Sequence, residues 1–111
     1  MCEGYRSFLD KGKTERECTA LAIDMAIKAG YRSMDDAIRN KESIKAGDRL
    51  YTHWMNKSLM LFNIGSEPIE NGINILGAHI DSPRLDIKQN PLYEDSDLAY
   101  LDTHYYGGIK K

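Results

Sequence analysis

One helical pattern of apolar positions stands out in the first third of the chain. Thr14 and Glu17 form a capping box, in which each residue's side chain bonds the other's backbone amide. Behind it, apolar residues recur at spacings of three and four, at Cys18, Leu21, Ala22, Met25 and Ala29. This pattern predicts an amphipathic helix over residues 14–29, with Gly30 as its left-handed C-terminal cap. A short helix or turn is expected before it.

The pattern changes to that of β-strands in the middle of the chain. Four segments are rich in β-branched, aliphatic or aromatic residues or alternate polar with apolar ones, namely residues 49–54, 58–64, 73–79 and 84–88. Residues 55–57 are short enough to join the first two strands as a hairpin. Asn90 and Pro91 are expected to end the fourth strand.

The remaining segments connect these elements or follow them. Residues 31–47 are polar and predict a connection with one helical turn near residues 35–39. Residues 98–111 are tyrosine-rich and have the pattern of the start of another strand. The fold class predicted from these elements is α/β, with an N-terminal helix and part of a mixed β-sheet.

Composition excludes several classes of function. The chain has 111 residues, of which 41% are hydrophobic and 29% charged, and its net charge is −2. We therefore expect no nucleic-acid partner, because such partners favour basic surfaces. We expect no membrane partner, because no apolar run approaches the roughly 20 residues that span a bilayer. The sequence begins without the apolar stretch of a signal peptide, which predicts a cytoplasmic location.

The clearest candidate chemistry lies at the end of the third predicted strand. His79 and Asp81 are separated by one residue, so in a strand their side chains share a face. Imidazole is a good zinc ligand, and a carboxylate on its other nitrogen fixes the tautomer. A His-x-Asp tripeptide alone is a weak signal, since most such histidines are solvated. A nucleophilic triad with Ser82 is disfavoured because the three residues are too close in sequence to form the usual relay.

Other residues give weaker signals. His53 is expected to be a strand-surface or core histidine, and His104 lies among tyrosines without an evident partner. Arg84 and Asp86 are expected to be charges on a strand surface.

Two longer motifs resemble a known family. The segment from Gly77 to Lys88 (GAHIDSPRLDIK), continued by NPLYE, and the segment from His104 to Lys111 (HYYGGIKK) are similar to the aspartyl aminopeptidase and aminopeptidase I family of zinc metallopeptidases, in its clostridial-type branch. The resemblance implies a zinc-peptidase catalytic domain that removes N-terminal amino acids from peptides with two metal ions. Zinc is the expected metal, and cobalt and manganese are alternatives. By this resemblance His79 is the first metal ligand, and Asp81 is the catalytic-site acid that supports it.

The resemblance also implies a domain organisation and partners. Residues 1–95 would belong to the catalytic domain and residues 96–111 to the start of an inserted β-rich dimerisation domain. Peptides are the expected substrates, and the full-length protein is expected to form a homo-oligomer. The other ligands and the general base have no counterpart before Lys111, so this chain alone is expected to be inactive. The alternatives are a catalytically dead truncated product and a small α+β interaction module.

Overall fold

The structure is a computed structural model that describes residues 2–108. It forms two compact units, one up to Asp81 and one from Ser82 onward. The first unit contains α1 (Cys2–Lys11), α2 (Glu15–Lys28), β1 (Arg32–Ser33), α3 (Met34–Arg39), β2 (Arg49–Trp54), β3 (Ser58–Asn63) and a 3-10 turn (Ile69–Asn71). The second unit is the hairpin of β4 (Arg84–Asp95) and β5 (Leu98–Tyr106).

Helix α2 has the capped ends that its sequence predicts. The Glu17 amide donates to Thr14 Oγ1 at 3.3 Å, and the Glu17 carboxylate accepts from the Thr14 amide at 2.9 Å. At the other end Gly30 has φ +87°, and the Tyr31 amide donates to the Ala26 carbonyl at 3.0 Å. This is the 6→1 bond of a Schellman motif, which satisfies a carbonyl that the helix leaves free. The predicted helix is confirmed.

The first unit is built around a three-stranded mixed sheet in the order β1-β2-β3. Strand β2 pairs parallel with β1 and antiparallel with β3. Leu50, on the central strand, is fully buried, and the other buried apolar side chains are those of Cys18, Ala26 and Ala37. The Arg49 guanidinium donates to the Ala29 carbonyl at 3.0 Å and ties the end of α2 to the sheet. The predicted α/β class, the mixed sheet and the hairpin between β2 and β3 are confirmed.

An arginine-centred cluster orders the connection that precedes β2. The guanidinium of Arg32 binds Glu42 through one nitrogen and Asp48 through another, the latter at 3.0 Å. Asp48 also accepts from the Lys45 amide at 2.8 Å. The Lys45 amide and then the Arg32 guanidinium hold the pKa of Asp48 below its ordinary value. The predicted helical turn lies within α3, while the two-residue strand β1 was not predicted.

Residues 73–79 do not form the predicted strand. They have no regular secondary structure, and Ile75 and Leu76 are 83% and 101% exposed. A strand is defined by its ladder of backbone hydrogen bonds with neighbouring strands. Within residues 2–108 no strand pairs with this segment, so its apolar composition alone does not make it one. The prediction is wrong for this chain.

Strand β4 continues beyond the predicted end at Asn90 and Pro91. The pairing with β5 shifts register between Ile87 and Leu92, so the intervening residues of β4 form a bulge. Proline lacks an amide hydrogen, and a bulge accepts it because bulged residues need no partner. Ser96 and Asp97, both at positive φ, make the turn into β5. The predicted strand over residues 98–111 is confirmed as far as Tyr106, and its residues 109–111 lie outside the described part.

Candidate metal-binding site

His79 and Asp81 lie on an irregular segment that ends the first unit. Pro83 follows shortly after; it cannot donate to a sheet and restricts the backbone of the residue before it. The His79 side chain is 80% exposed and that of Asp81 41% exposed. Both side chains are therefore accessible in this chain, as groups that meet a ligand must be.

The two side chains are in contact, and the contact favours one tautomer of the neutral imidazole. His79 Nδ1 lies 3.1 Å from Asp81 Oδ1 and 2.9 Å from the main-chain carbonyl oxygen of Asp81. A carbonyl oxygen and an ionised carboxylate can only accept hydrogen bonds. Nδ1 must therefore carry the hydrogen, which leaves the lone pair of the neutral ring on Nε2. This is the tautomer that binds a metal through Nε2 while a second group holds the ring from behind.

The described residues can supply one ligand of a zinc site but not the complete set of ligands. Zinc sites in proteins use three or four ligands, chiefly cysteine, histidine and carboxylate side chains. Among residues 2–108, no group of three or more such side chains is placed to hold a metal ion together. His79 and Asp81 can thus supply one ligand and its support, while the further ligands would have to come from outside these residues.

The contacts of Ser82 and His79 do not support a nucleophilic triad of Ser82, His79 and Asp81. The Ser82 hydroxyl donates to the Pro83 carbonyl at 3.4 Å, and the two acceptors at His79 Nδ1 both belong to Asp81. The contacts described for these residues contain no serine–histidine relay.

The weaker candidates comprise two exposed histidines and a half-buried ion pair. His53 is exposed on β2, as predicted for a strand-surface histidine. The His104 ring stacks on that of Tyr105 with 5.9 Å between the centroids. The Arg84 and Asp86 side chains pair with each other at 3.0 Å on β4.

The sequence did not predict one group that contacts His79, the main-chain carbonyl of Asp81. No residue type signals it, because every residue has a carbonyl and only the backbone conformation decides where it lies.

Comparison with known proteins identifies the family. The sequence profile of the family described as aminopeptidase I zinc metalloprotease (M18) matches residues 8–111. The chain belongs to this family. A probable M18 family aminopeptidase 1 from Clostridium acetobutylicum is 56% identical over 107 residues, which are 96% of this chain and 23% of the relative. A probable M18 family aminopeptidase 1 from Borrelia garinii is 45% identical over 98% of this chain and 23% of its own length.

Solved M18 structures contain the same fold. Aminopeptidase I from Borrelia burgdorferi matches with a TM-score of 0.73 and 42% identity, over 98% of this chain and 26% of that one. Aminopeptidase I from Clostridium acetobutylicum matches with a TM-score of 0.67 and 55% identity, over 98% of this chain and 24% of that one. The M18 chain thus spans about a quarter of the length of the relatives that it matches.

Proposed function

We propose that the protein is a metal-dependent aminopeptidase in which His79 is the first metal ligand and Asp81 is the acid that supports it. One observation carries this proposal. In a chain of the M18 family, the His79 ring has Nδ1 held by two acceptors, which leaves Nε2 free to bind a metal.

The proposed roles follow from the charge and geometry of the two side chains. The Asp81 carboxylate holds the hydrogen on Nδ1, orients the ring and makes Nε2 more basic, which strengthens it as a ligand. A zinc ion held by His79 and further ligands would supply Lewis acidity, which lowers the pKa of a water molecule and polarises a peptide carbonyl. The His79 side chain is exposed, so a metal ion that residues elsewhere in the subunit also bind could reach it.

Zinc is the proposed metal because the family is described as a zinc metalloprotease. We further propose that the complete subunit binds two metal ions, with cobalt and manganese able to replace zinc. The second ion and the general base would require carboxylates outside residues 2–108, consistent with the larger size of the relatives.

The wider properties of the protein are proposed on the same family basis. The substrates are peptides, the subunits form a homo-oligomer and the location is cytoplasmic. Among the described residues, no helix is long and apolar enough to cross a bilayer. We also propose that residues 1–95 belong to the catalytic domain and that residues 96–111 begin the dimerisation domain.

The test uses a complete M18 subunit that contains this sequence. His79→Ala should abolish the release of N-terminal amino acids, and in the unsubstituted enzyme a chelator should do the same, with recovery on addition of zinc. Bound zinc, measured by atomic emission after gel filtration, should also fall in the variant.

Two variants make the test specific. His53→Ala removes another exposed imidazole from the same chain and should leave both zinc content and turnover unchanged. Asp81→Asn should lower metal retention or rate by about 10- to 100-fold. Unchanged turnover in His79→Ala would exclude the proposed metal role.

A further inference from the structure

The nearer of the two acceptors at His79 Nδ1 belongs to the main chain. The Asp81 carbonyl oxygen lies 2.9 Å from Nδ1, and the carboxylate oxygen lies 3.1 Å from it. Both distances are within the range of ordinary hydrogen bonds. The single hydrogen on Nδ1 is therefore shared between two acceptors of Asp81, and only one of these two groups is a side chain that a substitution can remove.

We propose that the main-chain carbonyl of Asp81 is a positioning group for His79, which keeps the hydrogen on Nδ1 even without the Asp81 carboxylate. The proposal deepens the metal role proposed above and rests on it for its functional meaning. The hydrogen-bond geometry itself needs neither metal nor substrate.

The irregular backbone of this segment makes the contact possible. In a regular strand the carbonyl groups point sideways within the sheet toward neighbouring strands, while side chains stand perpendicular to it. A carbonyl two residues further along then does not meet the ring of the preceding histidine. Residues 73–83 have no regular secondary structure, and the Asp81 carbonyl oxygen lies 2.9 Å from Nδ1.

The two holding groups differ in what they contribute. The carboxylate carries a negative charge, but its side chain is 41% exposed, so its attraction for the ring is screened by water. The carbonyl carries no net charge, and its position is set by the backbone without the rotation of a side chain. A single exposed hydrogen bond of this kind should favour the Nδ1-protonated tautomer by about 2- to 10-fold.

The tautomer can be measured directly in the metal-free chain. Long-range ¹H–¹⁵N correlation spectra of the neutral imidazole rings distinguish hydrogen on Nδ1 from hydrogen on Nε2. His53, an exposed histidine on β2, serves as the reference ring in the same sample. We expect the ratio of Nδ1-protonated to Nε2-protonated ring to be higher for His79 than for His53, and to stay about 2- to 10-fold higher in Asp81→Ala.

A second variant tests the carbonyl itself. An ester in place of the peptide bond between Asp81 and Ser82, introduced by chemical ligation, makes that carbonyl a poorer acceptor. It should lower the His79 ratio further in the Asp81→Ala background, with the His53 and His104 signals unchanged as evidence of an intact fold.

The outcomes separate this inference from the proposed function. If Asp81→Ala gives His79 the tautomer ratio of His53, the carboxylate alone holds the ring and the inference is overturned. If the ratio persists but His79→Ala leaves zinc content and turnover intact in the complete subunit, the carbonyl contact stands and the metal role does not.

Discussion

Gly12 packs so closely against α2 that a single methyl group should destabilise the first unit. The residue is buried just beyond the end of α1, and its amide donates to the Phe8 carbonyl at 2.8 Å. A β-carbon built at this position would lie 2.8 Å from Cys18 Sγ, 3.2 Å from the Phe8 carbonyl oxygen and 3.4 Å from Leu21 Cδ1. The first distance is too short for any real contact between these atoms, so Gly12→Ala must displace the sulfur or the end of the helix.

The size of the effect follows from what can move. Cys18 is 5% exposed and belongs to the small core of the unit, so its sulfur has little room. Overpacking of a filled core costs about 1–3 kcal/mol. We expect Gly12→Ala to lower the free energy of unfolding by about 2 kcal/mol within that range.

Two matched variants test this explanation. Gly4→Ala places the same methyl group inside α1, where nothing lies within 4 Å, and should stabilise the chain by about 0.5–1 kcal/mol. Removing the sulfur with Cys18→Ala should relieve the clash, so that adding Gly12→Ala in that background costs less than about 1 kcal/mol. Urea titrations followed by far-ultraviolet circular dichroism give each free energy from the midpoint and slope. Equal costs of Gly12→Ala with and without the sulfur would refute the steric argument.

The remaining predictions concern helix ends and pH. Lys41 has φ +54° after α3, a region that strains residues with a β-carbon, so Lys41→Gly should stabilise the chain by about 0.5–1 kcal/mol in the same titration. Gly30 has φ +87° after α2 with open space around it, so Gly30→Ala should lower the free energy of unfolding by about 1–2 kcal/mol. A stabilising effect would contradict the left-handed conformation assigned to this residue. The amides of Lys13 and Thr14 lower the pKa of Glu17, so this group stabilises the fold above its unfolded-state pKa and loses that effect as pH falls through the lower folded-state value. Thermal unfolding from neutral to acidic pH should show Glu17→Gln less stable than the unsubstituted chain at neutral pH and closer to it at acidic pH; a constant difference would exclude the linkage.

The parts of the fold that the sequence predicts correctly depend on contacts between near neighbours. The capping box joins residues three apart, and the C-terminal cap needs only a glycine at one position. The hairpin between β2 and β3 follows from a three-residue loop between two strand-like segments. In each case the donor, the acceptor and the required backbone angle lie within a few residues, so the local sequence is sufficient.

The parts of the fold that the sequence predicts wrongly or does not predict depend on partners that are distant in the sequence. Strand β1 is two residues long and exists only because it pairs with Leu50 and Tyr51, about eighteen positions further along the chain. Residues 73–79 have the apolar composition of a strand, yet no strand among the described residues forms backbone hydrogen bonds with them. The bulge that lets β4 pass Pro91 also depends on its partner strand, since a register shift is a property of a pair.

The candidate site combines both situations, and this explains why the contact between His79 and Asp81 was predictable and its geometry was not. The sequence places His79 and Asp81 together on the assumption of a strand, in which alternate side chains share a face. The structure brings them together on a segment that belongs to no strand, with both the Asp81 carboxylate and the Asp81 carbonyl against the ring. A regular strand would also place the two side chains on one face, but only the observed backbone adds the contact with the carbonyl. Whether His79 keeps its tautomer when the carboxylate is removed thus also reports which of the two backbones the chain adopts.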